Sequence, residues 1–310
     1  MNLYRVYGLK IQSEIEMKEL LTLNDKKKES CDVKLFYGVV SDKIKSDIKA
    51  KKKINLSKED IWFHIEGVAT YWIKSGTEVI VDPCENADLH MLKTYLMCSC
   101  LGFIMLQREM VAIHGGTVVF DEKAVIFTGD RGAGKSTLTI ALRLKGYSFI
   151  SDDVASTSLN NGPIISPGFP YQKLCEDTMD NMKINKSECT SFMSDTKIKY
   201  LVPAHDNFID ADIRLAAICE LTVGDVDEVE IQELKGKEKL TKLIKNIYRG
   251  EYIKGLGGMT PKYFKQCIDI AKHIKFYKII RPENQFTVDE QINLIETEVV
   301  NNKEDILMNV

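Results

Sequence analysis

With 310 residues, 44% of them hydrophobic and 28% charged, the chain has the make-up of a soluble globular protein, with room for one large domain or two modest ones. A net charge of −3 argues for neither nucleic acid nor membrane as a partner, and seven prolines and 19 glycines leave little room for a long disordered linker. Eight cysteines without a C-x-x-C, Cys98 and Cys100 being one residue apart, point to reduced and mostly buried thiols rather than a disulfide framework. Met1-Asn2-Leu3-Tyr4-Arg5 lacks the basic-then-apolar layout of a signal peptide, so a cytoplasmic protein is expected.

The region before residue 86 differs in texture from the rest of the chain. It is expected to form a small α+β accessory domain, 1–85, ahead of a larger domain, 86–310. Lys26, Lys27 and Lys28 make one charged run and Lys49, Lys51, Lys52 and Lys53 another. With Asp42, Asp47, Glu59 and Asp60 nearby they read as a solvated helical face, a docking patch being the alternative. Residues 61–65, 69–73 and 78–81 are short β-branched and aromatic runs, punctuated by Gly67 and Ser75-Gly76 and closed by Pro83. They predict a small antiparallel sheet, with two readings: an exposed edge that pairs with an extended peptide, or strands that simply cover the core. Residues 87–109 turn helical and strongly apolar; the stretch 92–106 contains Lys93 and is short for a bilayer, so a buried helix is expected.

Residues 111–114 and 117–120 read as strand, Asp121-Glu122-Lys123 as a hairpin turn, and 123–128 as a short buried strand. That strand enters Gly129-Asp130-Arg131-Gly132-Ala133-Gly134-Lys135-Ser136, a complete match to G-x-x-x-x-G-K-[ST]. Helical spacing over 136–145 comes next and ends at Gly146, a C-terminal cap. In such a phosphate-binding loop the glycines let consecutive N–H groups turn inward, and the positive end of the helix adds to the attraction. The binding segment is therefore 129–137, ending at Thr137, with Lys135 on the β- and γ-phosphates of ATP and the Ser136 hydroxyl on Mg²⁺.

Residues 147–151 form a further strand that runs into Asp152-Asp153. Such a strand is expected to lie beside the loop strand with its carboxyl end facing the phosphates, where one carboxylate can hold Mg²⁺ and the other accept a proton. An acidic turn cap is the alternative. His114, followed by Gly115-Gly116, is the third candidate, against a purely structural histidine. Lys197, Lys199, Arg214 and Arg249 are candidate phosphate clamps or surface charges, and His205 and His273 fit no pattern. Residues 157–215 are turn-rich, 215–223 return to strand, Thr260-Pro261 starts a helix to about His273, and Thr287-Val288-Asp289-Glu290 has capping-box spacing. No internal repeat is visible.

His114-Gly115-Gly116, the hairpin into Gly129–Ser136, and Ser151-Asp152-Asp153 together resemble HPr kinase/phosphorylase, a bacterial serine kinase. The resemblance is closer to its shorter relatives in peptide natural-product pathways, through residues 72–83, Pro167-Gly168-Phe169-Pro170, Tyr263-Phe264-Lys265-Gln266-Cys267, Tyr277 and Arg281-Pro282. It covers roughly residues 70–285. It implies an α/β P-loop kinase core of the HPr kinase/phosphoenolpyruvate carboxykinase type. It also implies Asp153 as general base, His114 assisting it, Lys135 on the phosphates, and Ser136 and Asp152 near Mg²⁺. The implied reaction moves the γ-phosphoryl group of ATP to a serine or threonine hydroxyl of a protein or peptide, a ribosomal precursor peptide being one candidate. The family's E-[VL]-R-G-L-G-like segment has no counterpart; Ile164–Pro170 with Glu176 and Asp177 stands there, so HPr recognition and phosphorylase activity are not implied. A small-molecule hydroxyl kinase and a nucleotide-gated binding module with slow ATPase activity remain alternatives. The oligomeric state stays open, a homo-oligomer included.

Overall fold

Alternating apolar and polar residues become sheet in the computed structural model, which describes residues 1–23, 30–194 and 197–300, and only the backbone of 188, 191–194 and 197. The lysine run at 26–28 and the side chain of Lys197 lie outside the described residues. The chain divides into two compact units, Met1–Ala112 with Ile247–Gln266, and Ile113–Asn246 with Cys267–Val310. The boundary is not the one expected at residue 85: the first unit runs 27 residues further (112 − 85) and takes back a segment from late in the chain.

In the first unit β1 (Asn2–Val6), β2 (Leu9–Ser13), β3 (Leu21–Thr22), β4 (Val33–Tyr37), α1 (Asp42–Lys49), β5 (Ile54–Asn55), β6 (Asp60–Ile65), β7 (Ala69–Lys74) and β8 (Glu78–Pro83) come in order. The strands form one eight-stranded sheet, β3-β1-β2-β4-β8-β7-β6-β5, parallel at β2–β4 and β4–β8. The predicted hairpins at 61–81 are there as β6–β8, but β6, β7 and β8 are each paired on both sides. Among the described residues the edges are β3 and β5, so of the two readings for 61–81 the strands lie inside the sheet rather than at an open edge. In α1 Ile44 is buried while Lys43, Lys45 and Lys49 are exposed, as a solvated face requires.

The apolar stretch forms a continuous helix, Leu89–Gln107, made of α2 (Leu89–Tyr95), a π-helical turn (Leu96–Cys100) and α3 (Leu101–Gln107). It is long and apolar enough to cross a membrane, yet 61% of its most apolar window is buried inside the protein, as a core helix would be. Arg249, a candidate phosphate clamp or surface charge by sequence, is committed to the widened turn. Its Nη2 lies 2.9 Å from Ser99 Oγ and its Nε donates to Cys98 O at 3.4 Å, with Phe103 and Tyr248 rings against the guanidinium.

The second unit carries most of the strands β9 (Val111–Phe120), β10 (Lys123–Gly129), β11 (Ser148–Ser151), β12 (Val154–Leu159), β13 (Pro163–Ser166), β14 (Tyr171–Cys175), β15 (Thr190–Ser194), β16 (Lys197–Pro203), β17 (Ile213–Gly224), β18 (Glu230–Glu233) and β19 (Lys275–Pro282). Its helices include α4 (Lys135–Leu144), α5 (Glu176–Asn181), α6 (Gly236–Lys245) and α8 (Val288–Leu294), with α7 (Pro261–His273) leading into β19. The path β10-β9-β12-β13-β17 closes on itself because β10 also pairs in parallel with β17; β19 and β18 extend it, and β11 pairs with β9. A smaller sheet, β14-β16-β15, stands apart. The segment expected to be turn-rich, 157–215, thus contains several short strands. Asp121-Glu122 makes the predicted hairpin turn, with Phe120 opposite Lys123.

One face of β10 buries Val125 and Phe127 against Leu138 and Leu142 of α4, with Cys219, Leu221, Tyr277 and Ile279 in the same cluster. Each fully buried leucine contributes on the order of 1.5–3 kcal/mol. On the other side of α4, Ile140 packs with Leu174, Met179 and Val202, joining the small sheet to the helix. Gly115 and Gly129 are glycine for lack of room: a Cβ on Gly115 would strike Phe127 O, and one on Gly129 would strike Leu221 O. Both collisions are with backbone of a paired strand, which cannot yield locally. Gly115→Ala is therefore expected to cost about 1–3 kcal/mol, read as a lower urea midpoint with full-length protein. A midpoint equal to wild type would mean that the β9–β10 pairing opens without penalty.

Candidate functional site

β10 delivers the glycine-rich segment and α4 receives it. Gly129, Gly132 and Gly134 all have positive φ, +137°, +86° and +105°, and Ala133 N–H turns back to Asp130 O at 3.2 Å. Gly134 caps α4 with no side-chain acceptor, so nothing at the cap competes for the first-turn N–H groups of the helix. Lys135 Nζ lies over the loop, donating to Gly129 O at 2.8 Å and Asp130 O at 3.2 Å. Arg281, at the end of β19, grips the loop by its carbonyls, Ala133 O at 3.1 Å and Gly132 O at 3.3 Å. Lys245 reaches Asp130 Oδ2 at 3.2 Å. Asp130, Arg131 and Gly132 are exposed, Ser136 is half-buried in the first turn of α4, and Thr137 Oγ1 meets Thr178 Oγ1 at 3.2 Å.

β11 does not lie beside β10, as expected; β9 stands between them, because the hairpin has already filled that edge of β10. The consequence for the aspartates is small. β11 is antiparallel to β9 and so runs in the direction of β10, and its carboxyl end emerges at the loop end of the sheet. There Val154 N–H donates to Asp152 O at 2.6 Å across Asp153, whose φ is +63°. The aspartate pair sits in a γ-turn, a strained conformation for a residue with a Cβ. Gly115 N–H donates to Asp153 O at 3.1 Å and ties this turn to β9.

Four side chains meet here. His114 Nε2 lies 3.3 Å from Asp153 Oδ1, and Lys173 Nζ lies 3.2 Å from Asp153 Oδ2. The backbone N–H of Lys173 donates to Asp152 Oδ2 at 2.9 Å. Asp152 is 7% exposed and the Asp153 side chain 30%. Their proton affinities diverge. Burial, and then repulsion from Asp153, push Asp152 up to about 6, against the pull of the Lys173 N–H and the charges of Lys173 and Lys199. Burial also acts to raise Asp153, but Lys173 and His114 together hold it well below the usual carboxylate range. Burial lowers Lys135, while Asp153, Asp130 and Asp152 counter it and Lys199 adds to it.

Behind His114 stands a buried network. Glu220, 1% exposed on β17, pairs with Lys242 Nζ at 2.7 Å and accepts from Asn246 Nδ2 at 3.1 Å. Thr128 Oγ1 lies 2.9 Å from Asn246 Oδ1 and 2.7 Å from His114 O, and His114 N–H donates to Asn246 O at 2.8 Å. This fixes the backbone on which the imidazole is mounted. Arg214, likewise a clamp candidate or surface charge by sequence, is opposite Lys123 in the β10–β17 register, at the far end from Gly129, and its guanidinium bonds Asn161 O. Lys173, Arg281, Lys245, Glu220 and Asn246 carry no motif that assigns them a role from sequence.

The residues suit phosphate and magnesium chemically. An uncapped helix start with a lysine over it has the chemistry an anion needs, and Ser136 and Asp152 offer hard oxygen donors. Among the described residues no three His, Cys, Asp or Glu side chains cluster as a metal cage, nor does a magnesium ion shared with phosphates need one. No family model matches the chain, and no curated protein matches it. A solved structure similar to part of it is the Hpr(Ser) kinase/phosphatase from Coxiella burnetii, at 17% identity and a TM-score of 0.31, covering 61% of this chain and 94% of that one. At that distance the likeness decides nothing about activity.

The opposed shifts of the aspartates give opposed pH dependences. Asp152 binds its proton more tightly folded than unfolded, so stability falls as the pH rises from about 4 towards its raised value of about 6. Asp153 contributes stability above the ordinary carboxylate value, lost as the pH falls through its lowered folded value. Asp152→Asn removes only the first effect. Its melting temperature is expected above wild type at pH 7 and level with it near pH 4; an offset constant across that range would refute the assignment.

Proposed function

We propose that this chain is an ATP- and Mg²⁺-dependent kinase that transfers the γ-phosphoryl group to a serine or threonine hydroxyl of a protein or peptide. The observation that carries the reading is that Gly115 lies opposite Thr128, just before the glycine-rich loop with its uncapped helix start, while its N–H holds Asp153 O at 3.1 Å, so loop and aspartates share one end of the sheet. That is where a nucleotide's terminal phosphate and an attacking hydroxyl must meet. The acceptor class rests on the resemblance of His114-Gly115-Gly116 and Ser151-Asp152-Asp153 to a protein-serine kinase.

Loop N–H groups and Lys135 hold the phosphates, Arg281 keeps the loop in shape, and Ser136 and Asp152 supply oxygens to the metal. Bound Mg·ATP supplies the phosphoryl group, the charge that offsets its oxygens, and the leaving ADP. Asp153 orients the acceptor hydroxyl through a lone pair that His114 and Lys173 leave open. It takes the proton as the new O–P bond forms and the bond to ADP breaks. A carboxylate held this low is a weak base, which suits a loose transition state, because little negative charge must be generated on the nucleophile beforehand.

Calorimetric titration with Mg·ATP and phosphate transfer to Ser/Thr peptides test the reading. Lys135→Ala is expected to lose most nucleotide affinity and all transfer. Asp153→Asn should keep affinity but lose about 10²-fold or more in kcat. Wild-type transfer by Lys135→Ala would discard the phosphate site. ATP turnover indifferent to any acceptor would leave a nucleotide-gated module, and faster transfer to a free metabolite than to peptides would make this a small-molecule kinase.

A further inference from the structure

We propose that Lys173 is the positioning residue of the site, fixing the two neighbouring carboxylates relative to one another. The inference rests on the kinase reading for its catalytic consequence but on geometry for its substance. One residue holds both aspartates by two separate groups: its backbone N–H holds Asp152 Oδ2 at 2.9 Å and its ammonium holds Asp153 Oδ2 at 3.2 Å. The Lys173 side chain is 11% exposed, so the ion pair is shielded from the screening that makes surface pairs nearly worthless. The Phe169 ring lies 6.0 Å from the ammonium and adds to that shield.

The lysine cannot wander, because its strand is locked. In β14 Gln172 and Leu174 are fully buried while Tyr171, Lys173 and Cys175 face the other way. Leu174 packs on Ile140 of α4, so the helix that follows the phosphate loop also sets the height of Lys173. The β14–β16 register places Lys173 opposite Leu201 and Cys175 opposite Lys199. A one-residue slip would bury the ammonium and expose Leu174, which the core forbids. Opposed residues share a face, so Lys199 stands on the same side as Lys173, consistent with its charge being felt at Asp152.

The aspartates need such a clamp. Asp153 has φ +63° in a turn closed over two residues, and strain of that kind, on the order of 1–3 kcal/mol, persists only where surroundings over-determine it. Gly115 holds the Asp153 carbonyl and His114 one carboxylate oxygen; Lys173 holds the other carboxylate oxygen and extends the restraint to Asp152.

Two measurements on the full chain decide this. Amine acetylation followed by mass spectrometry reads the pair directly: Lys173 should be protected in wild type and acetylated several-fold faster in Asp153→Asn. Equal rates would overturn the ion pair. Kinetics read the consequence: Lys173→Met keeps the backbone N–H but loses the ammonium, and should lower kcat by about 10²-fold with KM for ATP little changed. Lys173→Arg, or ethylamine added to Lys173→Met, should restore part of the loss. A raised KM with unchanged kcat would make Lys173 a nucleotide ligand instead, and loss without rescue would make it structural only. Should wild type fail to bind Mg·ATP, the kinase reading falls, while the acetylation result still decides whether Lys173 holds the aspartates.

Discussion

The β9–β10 hairpin is the constraint from which the chemistry of the second unit is measured. β10 is hydrogen-bonded on both sides, antiparallel to β9 and parallel to β17, so Gly129 can leave the sheet at only one place. β9 carries His114 at the same end, and its other edge receives first β11 and then, further along, β12. The break between those two strands falls at Asp152-Asp153, opposite Gly115. Loop, histidine and aspartates therefore share one ruler, and the glycines at 115 and 129 mark where backbones approach too closely for any side chain. Loop chemistry and aspartate chemistry cannot drift apart without breaking that hairpin.

Legibility in the sequence tracks locality. The glycine-rich segment, the helix after it and the turn at Asp121-Glu122 depend on residues within a few positions of each other, and each stands where its residues predict. The neighbour of β11 escapes such reading because chain order suggests β10, whereas free edges decide, and β10 is already paired on both sides. Lys173 is invisible for a different reason. It touches the aspartates from about 20 residues away on a separate sheet, and Pro167-Gly168 and Pro170 make its surroundings look like turn. Tyr171-Gln172-Lys173-Leu174-Cys175 alternates in burial only in the fold; Gln172 is as fully buried as Leu174, so no polar–apolar alternation announces the strand in the sequence. Leu9-Lys10-Ile11-Gln12-Ser13 does alternate and forms β2, although the aromatic and β-branched runs that announce strands most plainly in this region begin only at residue 61. The return of Ile247–Gln266 to the first unit cannot be read locally at all.

Arg249 and Arg214 show how little a cation's identity says about its use. Both are candidates for holding phosphate by sequence, and both are bound to backbone carbonyls, Arg249 at a π-helical turn and Arg214 at the far end of β17. A guanidinium carries five donors, and a stranded carbonyl is an abundant acceptor; the glycine-rich loop itself presents two to Arg281. What separates Arg281 from the other two is position, since the carbonyls it holds belong to the loop. A peptide's C=O and the following N–H point in opposite directions. Of the amides that follow those two carbonyls, Ala133 N–H points back to Asp130 O, so the arginine fixes the turn of the loop from its carbonyl side.

Asp152 and Asp153 are adjacent in sequence and alike in chemistry, yet their environments drive them apart. Asp152 is buried, with the Lys173 N–H on its Oδ2, and keeps its proton to higher pH; Asp153 lies between an imidazole and an ammonium and gives its proton up. Divergence of two neighbouring carboxyls is what a site needs to assign them different tasks. A γ-turn is the device that achieves it. With extended backbone, successive side chains would point to opposite faces of the sheet, one towards the loop and one away. The positive φ at Asp153 kinks the chain between two strands that both pair with β9, and Lys173 reaches both carboxylates at that kink. The strain at that residue is thus the geometric condition for using the pair together.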